Sequence, residues 1–153
     1  MPKLIGDRTT LAVMLALRAA GFVVLLPFGE NARYDLVIDN GEQLSRVQCK
    51  TGRLREGAVR FKACSTYAHH ARCVTASRDY HGEVDYFAIH CPQTAGVYLV
   101  PITDLSVRVQ ANLRVRPARN GQNKRIRLAE TYKIGSVRVR TADSVGPAQP
   151  VSR

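Results

Sequence analysis

Asp35, Gln48 and Lys50 are the residues whose types and spacing could do chemistry together. Twelve residues separate Asp35 from Gln48, and only Cys49 separates Gln48 from Lys50. The stretch Ser45 to Lys50 alternates as a half-buried strand does, with Val47 and Cys49 on one side and Arg46, Gln48 and Lys50 on the other. A strand over Tyr34 to Ile38 precedes it, and Asp39-Asn40-Gly41 is a strong turn signal between the two. A loop centred near residues 41 and 42 places Asp35 opposite Gln48, so that a carboxylate, an amide and an ammonium converge on one face of a hairpin. Charged groups are costly to bury unpaired, and phosphodiester hydrolysis supplies a reason for the cost. The Asp35 carboxylate, the Gln48 amide oxygen and the backbone carbonyl of Cys49 are hard donors suited to a divalent cation. Lys50 beside them would orient or deprotonate the attacking water and offset developing negative charge. On spacing alone, an aspartate facing a lysine across two strands is more often a plain salt bridge.

Charge is the next informative feature. The 153 residues carry a formal net charge of +11, which points to a polyanionic partner. Between Arg108 and Arg140 there are ten Lys or Arg and one acid, Glu130, so nine of those eleven charges lie in this segment. Arg114, Arg116, Arg119, Lys124, Arg125 and Arg127 form the main candidate DNA surface, and arginine suits phosphate forks better than lysine. Arg53, Arg55, Arg60 and Lys62 follow the Gln48–Lys50 strand directly and are placed to grip phosphates near a scissile bond. A solvated basic surface is the plain alternative for both groups.

The elements that must position these residues can be read in outline. A helix is expected from about Arg8 to Ala20, capped by Asp7 or Thr9 and ended by Gly21, with Met1 to Ile5 a loose lead-in. Further strands are expected at Phe22 to Leu26, Ala58 to Phe61, Val84 to His90, Val97 to Val100 and Ala111 to Val115. Lys62 to His81 lacks clean periodicity and reads as a loop or irregular helix, and Arg125 to Tyr132 as a strand or short helix. Residues 136–153 read as a disordered basic tail behind a single domain over 1–135. The order is that of an α/β domain with a mixed sheet, its strands mostly hairpin-linked. No apolar run approaches the ~20 residues that span a bilayer, so no membrane partner is expected. The four cysteines show no CxxC pair and read as reduced thiols of an intracellular protein, cytoplasmic and nucleoid-associated. Asp85, inside an apolar strand, reads as the anchor of a hydrogen bond or ion pair.

The stretch Gly29-Glu30-Asn31-Ala32-Arg33-Tyr34-Asp35-Leu36-Val37-Ile38, followed by Arg46-Val47-Gln48-Cys49-Lys50-Thr51-Gly52, resembles the PD-(D/E)XK nuclease superfamily. Within it, the Q-x-K motif resembles the intron-encoded homing endonuclease branch, as do Tyr80 to Phe87 and Gly96 to Pro101. The likeness covers roughly residues 6 to 135. It implies a restriction-endonuclease-like core with a mixed sheet flanked by helices, Mg2+ (or Mn2+) as cofactor, double-stranded DNA as partner, and a homo-oligomer, dimer or tetramer. Asp35 becomes the metal-binding aspartate, Gln48 the second site residue and Lys50 the catalytic lysine. One departure matters: where many relatives carry an acid on the first helix, this chain has Thr10. Asp7 or Glu30 could substitute for it, though a helix cap and a solvated turn residue are the plainer roles.

The leading expectation is a metal-dependent endonuclease hydrolysing double-stranded DNA. The alternative, motivated by Thr10, is a catalytically inactive DNA-binding module on a nuclease-like scaffold. A basic RNA-binding or ribosome-associated protein would also fit the charge.

Overall fold

The computed structural model describes residues 2–69, 74–106, 109–116, 121, 124 and 126–135. His70, Cys73, Arg119, Arg125 and the segment 136–153 therefore lie outside the described residues. The chain opens with helix α1 (Pro2–Ala19), followed by strands β1 (Val23–Leu25), β2 (Leu36–Asp39), β3 (Leu44–Thr51), β4 (Arg53–Arg55) and β5 (Ala58–Lys62). Next come β6 (Cys64–His69), β7 (Val74–Asp79), β8 (Tyr86–Cys91), β9 (Gly96–Pro101), a single 3-10 turn at Ile102–Asp104, β10 (Gln110–Arg114) and the short helix α2 (Ala129–Tyr132).

Among the described residues the strands form three sheets: a five-stranded one in the order β1-β2-β3-β8-β9, a three-stranded one in the order β10-β5-β4, and the β6–β7 hairpin. In the five-stranded sheet β1, β2 and β3 are antiparallel, β3 and β8 run parallel, and β9 returns antiparallel to β8. The parallel β3–β8 pair makes this the mixed sheet that the order of elements implies. A parallel pair needs a long crossover, and here β4 to β7 supply it.

The period-2 alternation of β3 decides which layer each residue joins. Val47 and Cys49 pack with Leu36, Ile38 and Ala88 against Val13 and Leu17 of α1. The opposite face belongs to a second core, in which Phe87, Ile89, Tyr98 and Val100 meet Val59, Phe61, Ala111 and Leu113 of the three-stranded sheet. Gly52 makes the passage from one sheet to the other possible. A Cβ there would lie 2.5 Å from Val59 Cγ1 and 2.7 Å from Ile89 Cγ2.

Helix α1 begins six residues earlier than its sequence signals suggest. Pro2 sits at its start, a position that suits proline because the missing N–H has no partner there anyway. Asp7 is consequently an exposed residue inside the helix, not its cap. The C-terminal end follows expectation. Gly21 has φ +95°, its N–H donates to Arg18 O, and the Phe22 N–H donates to Leu17 O, with the Phe22 ring buried. The segment 62–81, expected to be a loop or irregular helix, is largely the antiparallel β6–β7 hairpin, in register from Cys64↔Asp79 to His69↔Val74. Its strands mix Ser, Thr, Ala, Arg and Asp with few β-branched apolar residues, so the sequence carries no period-2 apolar signal there.

Candidate active site

The register Leu36↔Val47 ends β2 one residue after Asp35, and continuing it brings Asp35 to Gln48. The Asp35 N–H donates to Val47 O at 3.0 Å, extending the ladder. Asp35 Oδ2 accepts from Gln48 Nε2 at 2.6 Å and from the Cys49 N–H at 2.7 Å. The carboxylate is therefore fixed against β3. Burial, the largest influence on it, raises its pKa above the ordinary aspartate value; the Cys49 N–H, the Lys50 charge and Gln48 pull the other way and do not cancel it.

Lys50 projects from the same face of β3 as Gln48. Its Nζ donates to Cys64 O and to the Tyr80 hydroxyl, both at 3.3 Å, and lies 4.5 Å from the Tyr80 ring centre and 5.9 Å from that of Phe87. Among the described residues no ion pair joins it to Asp35, so the plain salt bridge is not what the two form. Burial is the main influence on Lys50 and lowers its pKa, while the Asp35 charge acts in the opposite sense. Among the described residues the half-buried ammonium is thus held by neutral groups.

Tyr80 and Arg33, the latter given no site role by spacing alone, complete this corner. Arg33 Nε donates to Glu83 Oε2 at 2.6 Å, Nη1 to Ser65 Oγ at 2.9 Å and Nη2 to Asp79 O at 3.0 Å, with Cζ 4.3 Å from the Tyr80 ring centre. Arg78 also pairs with Glu83. The usable signal was position: Arg33 precedes Asp35 by two residues, within the stretch that carries the family resemblance.

Cys49 turns its thiol to the α1 side, where burial, with the Asp35 charge adding to it, pushes its pKa up to about 12, while a hydrogen bond with Thr10 and the Lys50 charge act in the opposite sense. Thr10 Oγ1 also donates to Gly6 O at 3.1 Å, and the neighbouring Thr9 hydroxyl meets that of Thr51 at 2.6 Å. So the helix residue found where an acid was sought contacts the apolar side of β3, not Lys50. Asp7 and Glu30 are exposed, and no described contact joins either to Asp35, Gln48 or Lys50. Among the described residues no three His, Cys, Asp or Glu side chains gather as metal ligands. The donor set available is one carboxylate, with Oδ2 already accepting two bonds, the Gln48 amide oxygen, whose Nε2 faces Asp35, and the main chain at Cys49. That set is all hard oxygen but thin, and fits a divalent cation that keeps several waters rather than one needing a full protein cage.

Of the remaining candidates, Arg53, Arg55, Arg60, Lys62 and Arg114 all lie on the three-stranded sheet, while Arg116 and Lys124 are exposed beyond it. Arg60 pairs with Glu56. Arg127 spends its guanidinium on Asp104 O at 2.6 Å and Ser106 Oγ at 3.4 Å. Asp85 anchors the β3–β8 junction: Oδ2 accepts from the Arg46 N–H at 2.7 Å, and the Arg46 guanidinium lies at 3.3 Å. Burial raises its pKa, but the bonds from Arg46 outweigh this and hold it below the ordinary range.

The PD-(D/E)XK endonuclease model matches residues 1–135, and the chain belongs to that family. Among solved structures it is similar to a bacterial homing endonuclease, I-Ssp6803I, with 24% identity, a TM-score of 0.64, and coverage of 86% of this chain and 87% of that one. That likeness gives the restriction-endonuclease-like fold. No curated protein matches the sequence.

Proposed function

We propose that this protein is a Mg2+-dependent endonuclease that hydrolyses phosphodiester bonds in double-stranded DNA, with Asp35, Gln48 and Lys50 as its catalytic residues. The observation that carries this is a half-buried lysine that forms no ion pair among the described residues, standing beside a carboxylate clamped by Gln48 Nε2 and the Cys49 N–H. Asp35 Oδ1, Gln48 Oε1 and a main-chain carbonyl at Cys49 would hold a divalent cation, Mg2+ or Mn2+, which would polarise the scissile phosphate. Lys50 would orient the attacking water and stabilise negative charge on the phosphate; an ammonium with a lowered pKa can also give up its proton more readily than an ordinary lysine. Arg53, Arg55 and Lys62, in the strands that continue from Lys50, would bind flanking phosphates.

Cutting both strands calls for two active sites, so the working unit is a homo-oligomer, dimer or tetramer. Exposed apolar residues on α1 (Leu4, Leu11, Leu15) and along the edge strand β1 and beyond it (Val23, Leu25, Leu26, Phe28) support self-association.

Nicking of supercoiled and linear duplexes with and without Mg2+ tests the activity: it should need the metal and vanish in Asp35→Ala and Lys50→Ala. A wild-type protein that cuts no member of a broad DNA panel with Mg2+ or Mn2+ sinks the proposal. A second reading, a DNA-binding module that has lost its chemistry, draws on the single carboxylate and on Thr10 facing Cys49. It requires DNA binding that Lys50→Ala leaves intact, with no heat of metal binding in calorimetry.

A further inference from the structure

The three-stranded sheet has two unlike faces. Val59, Phe61, Ala111 and Leu113 point into the core. By strand alternation its other face carries Arg53 and Arg55 from β4, Arg60 and Lys62 from β5, and Gln110, Asn112 and Arg114 from β10. The pairing sorts these into rows across the strands. Gln110 faces Lys62; Asn112, Arg60 and Arg53 form the next row; Arg114, the buried Ala58 and Arg55 form the third.

This face is built for a polyanion. Glu56, in the β4–β5 turn, pairs with Arg60 and is the acid that ion-pairs with this face among the described residues. Among the described residues Arg53, Arg55, Lys62 and Arg114 enter no ion pair. Among the described residues the buried Arg114 Nε has no hydrogen-bond partner. Gly52 alone separates β4 from β3, so the face continues directly from the strand that carries Lys50.

What distinguishes it from a phosphate grip is the pair of amides. Gln110 and Asn112 are exposed on β10, an edge strand of the sheet, each beside a cation of β5. Amide side chains match the N6/N7 edge of adenine in two bonds, as arginine matches guanine. Two residues along a strand span about 6.8 Å, the rise of about two base-pair steps. Three strands span about 10 Å between their outer backbones, comparable to the ~12 Å major groove of B-form DNA. The A-form major groove is too deep and narrow for side chains to read.

We propose that the outer face of β10-β5-β4 is a sequence-reading surface for the DNA major groove, on which Gln110 and Asn112 recognise adenines about two base pairs apart while Arg53 and Arg55 neutralise phosphates. This rests on duplex DNA being the substrate of the proposed nuclease, but not on catalysis.

The experiment is selection from a randomised duplex library by the full-length protein in EDTA, so that binding is scored without cleavage. Wild type should enrich a motif with two adenine positions. Asn112→Ala and Gln110→Ala should each erase preference at one of them, costing about tenfold or more in discrimination, with the salt dependence of binding unchanged. Asn112→Asp, of the same size, should shift its position towards cytosine. Arg53→Ala or Arg55→Ala should instead weaken binding to all sequences and lower the salt slope by about one. Circular dichroism confirms that these surface variants are folded. The proposal is overturned if wild type enriches no motif, if both amide variants keep the wild-type motif, or if structured RNA outcompetes duplex DNA. Motif binding without metal-dependent cutting would leave it standing and remove only the nuclease activity.

Discussion

Replacing Lys50 by methionine should abolish cleavage and at the same time make the protein more stable at neutral pH. Methionine fills nearly the same volume, so the change isolates the ammonium. What is lost is two long hydrogen bonds, to Cys64 O and the Tyr80 hydroxyl, and a contact with the Tyr80 ring. At about 0.5–1.5 kcal/mol for each bond and about 1 kcal/mol for the ring, these amount to roughly 2–4 kcal/mol. What is relieved is the desolvation of a half-buried charge, several kcal/mol in magnitude. The lowered Lys50 pKa says that burial outweighs the contacts that favour the charged form, so relief should win, and each ~1 kcal/mol gained raises Tm by about 2–4 °C in a chain of this size. The pH dependence has a definite sign. A lysine with a depressed folded pKa costs stability wherever it is charged in both states and stops costing anything above its unfolded value, about 10.4. The advantage of Lys50→Met should therefore be full at neutral pH and shrink as pH rises towards that value. Thermal melts of both proteins from pH 6 to 10, with nicking assays on the same preparations, measure it. A variant that melts several degrees below wild type at pH 7 would refute the reasoning, because Lys50 would then be a structural tie between β3 and β6.

Asp35→Asn should likewise lose cleavage yet melt no lower than wild type at pH 7. The raised Asp35 pKa means ionisation costs folding free energy there, so the difference in Tm should close as pH falls below about 3.9. Arg33→Met should lower Tm at pH 7 and reduce cleavage. Because the Arg33 hydrogen bond, with Arg78 nearby, holds the Glu83 carboxyl below its ordinary value, wild type loses that advantage as pH falls below about 4.3; a Tm difference that persists undiminished at pH 3 would contradict this. Gly52→Ala forces a methyl against two stiff β-branched side chains, and a loss of about 1–3 kcal/mol in urea denaturation is expected. An unchanged denaturation midpoint would mean the β3–β4 passage is looser than its contacts imply.

The hairpin geometry of Asp35 and Gln48 was legible because each cue is local: an alternating strand, an Asp-Asn-Gly turn, and a loop length that sets the register. The C-terminal end of α1 was legible for the same reason, through Gly21. Its start was not, since Gly6-Asp7-Arg8-Thr9-Thr10 imitates an N-terminal signal that Pro2 already supplies. The β6–β7 hairpin escaped notice because polar strands carry no period-2 signal when packing does not impose one. Tyr80 reaches Lys50 across thirty positions and Arg33 reaches Asp79 across forty-six. Contacts of that kind depend on the parallel β3–β8 pairing, which no local pattern announces.

The same long-range contacts explain how a strand can carry an unpaired ammonium. Cys64 begins β6 and Tyr80 directly follows β7, so both groups that hold Lys50 Nζ come from the base of one hairpin. Arg33 fastens that base at Ser65, at Asp79 O and over the Tyr80 ring, two residues before the carboxylate that Gln48 and Cys49 clamp. Asp35 and Lys50 are thereby fixed from opposite sides, by β3 in one case and by the hairpin base in the other, without touching. A carboxylate and an ammonium kept apart this way stay available to a third party between them, whereas a direct salt bridge would have satisfied both and left neither for a phosphate or a cation.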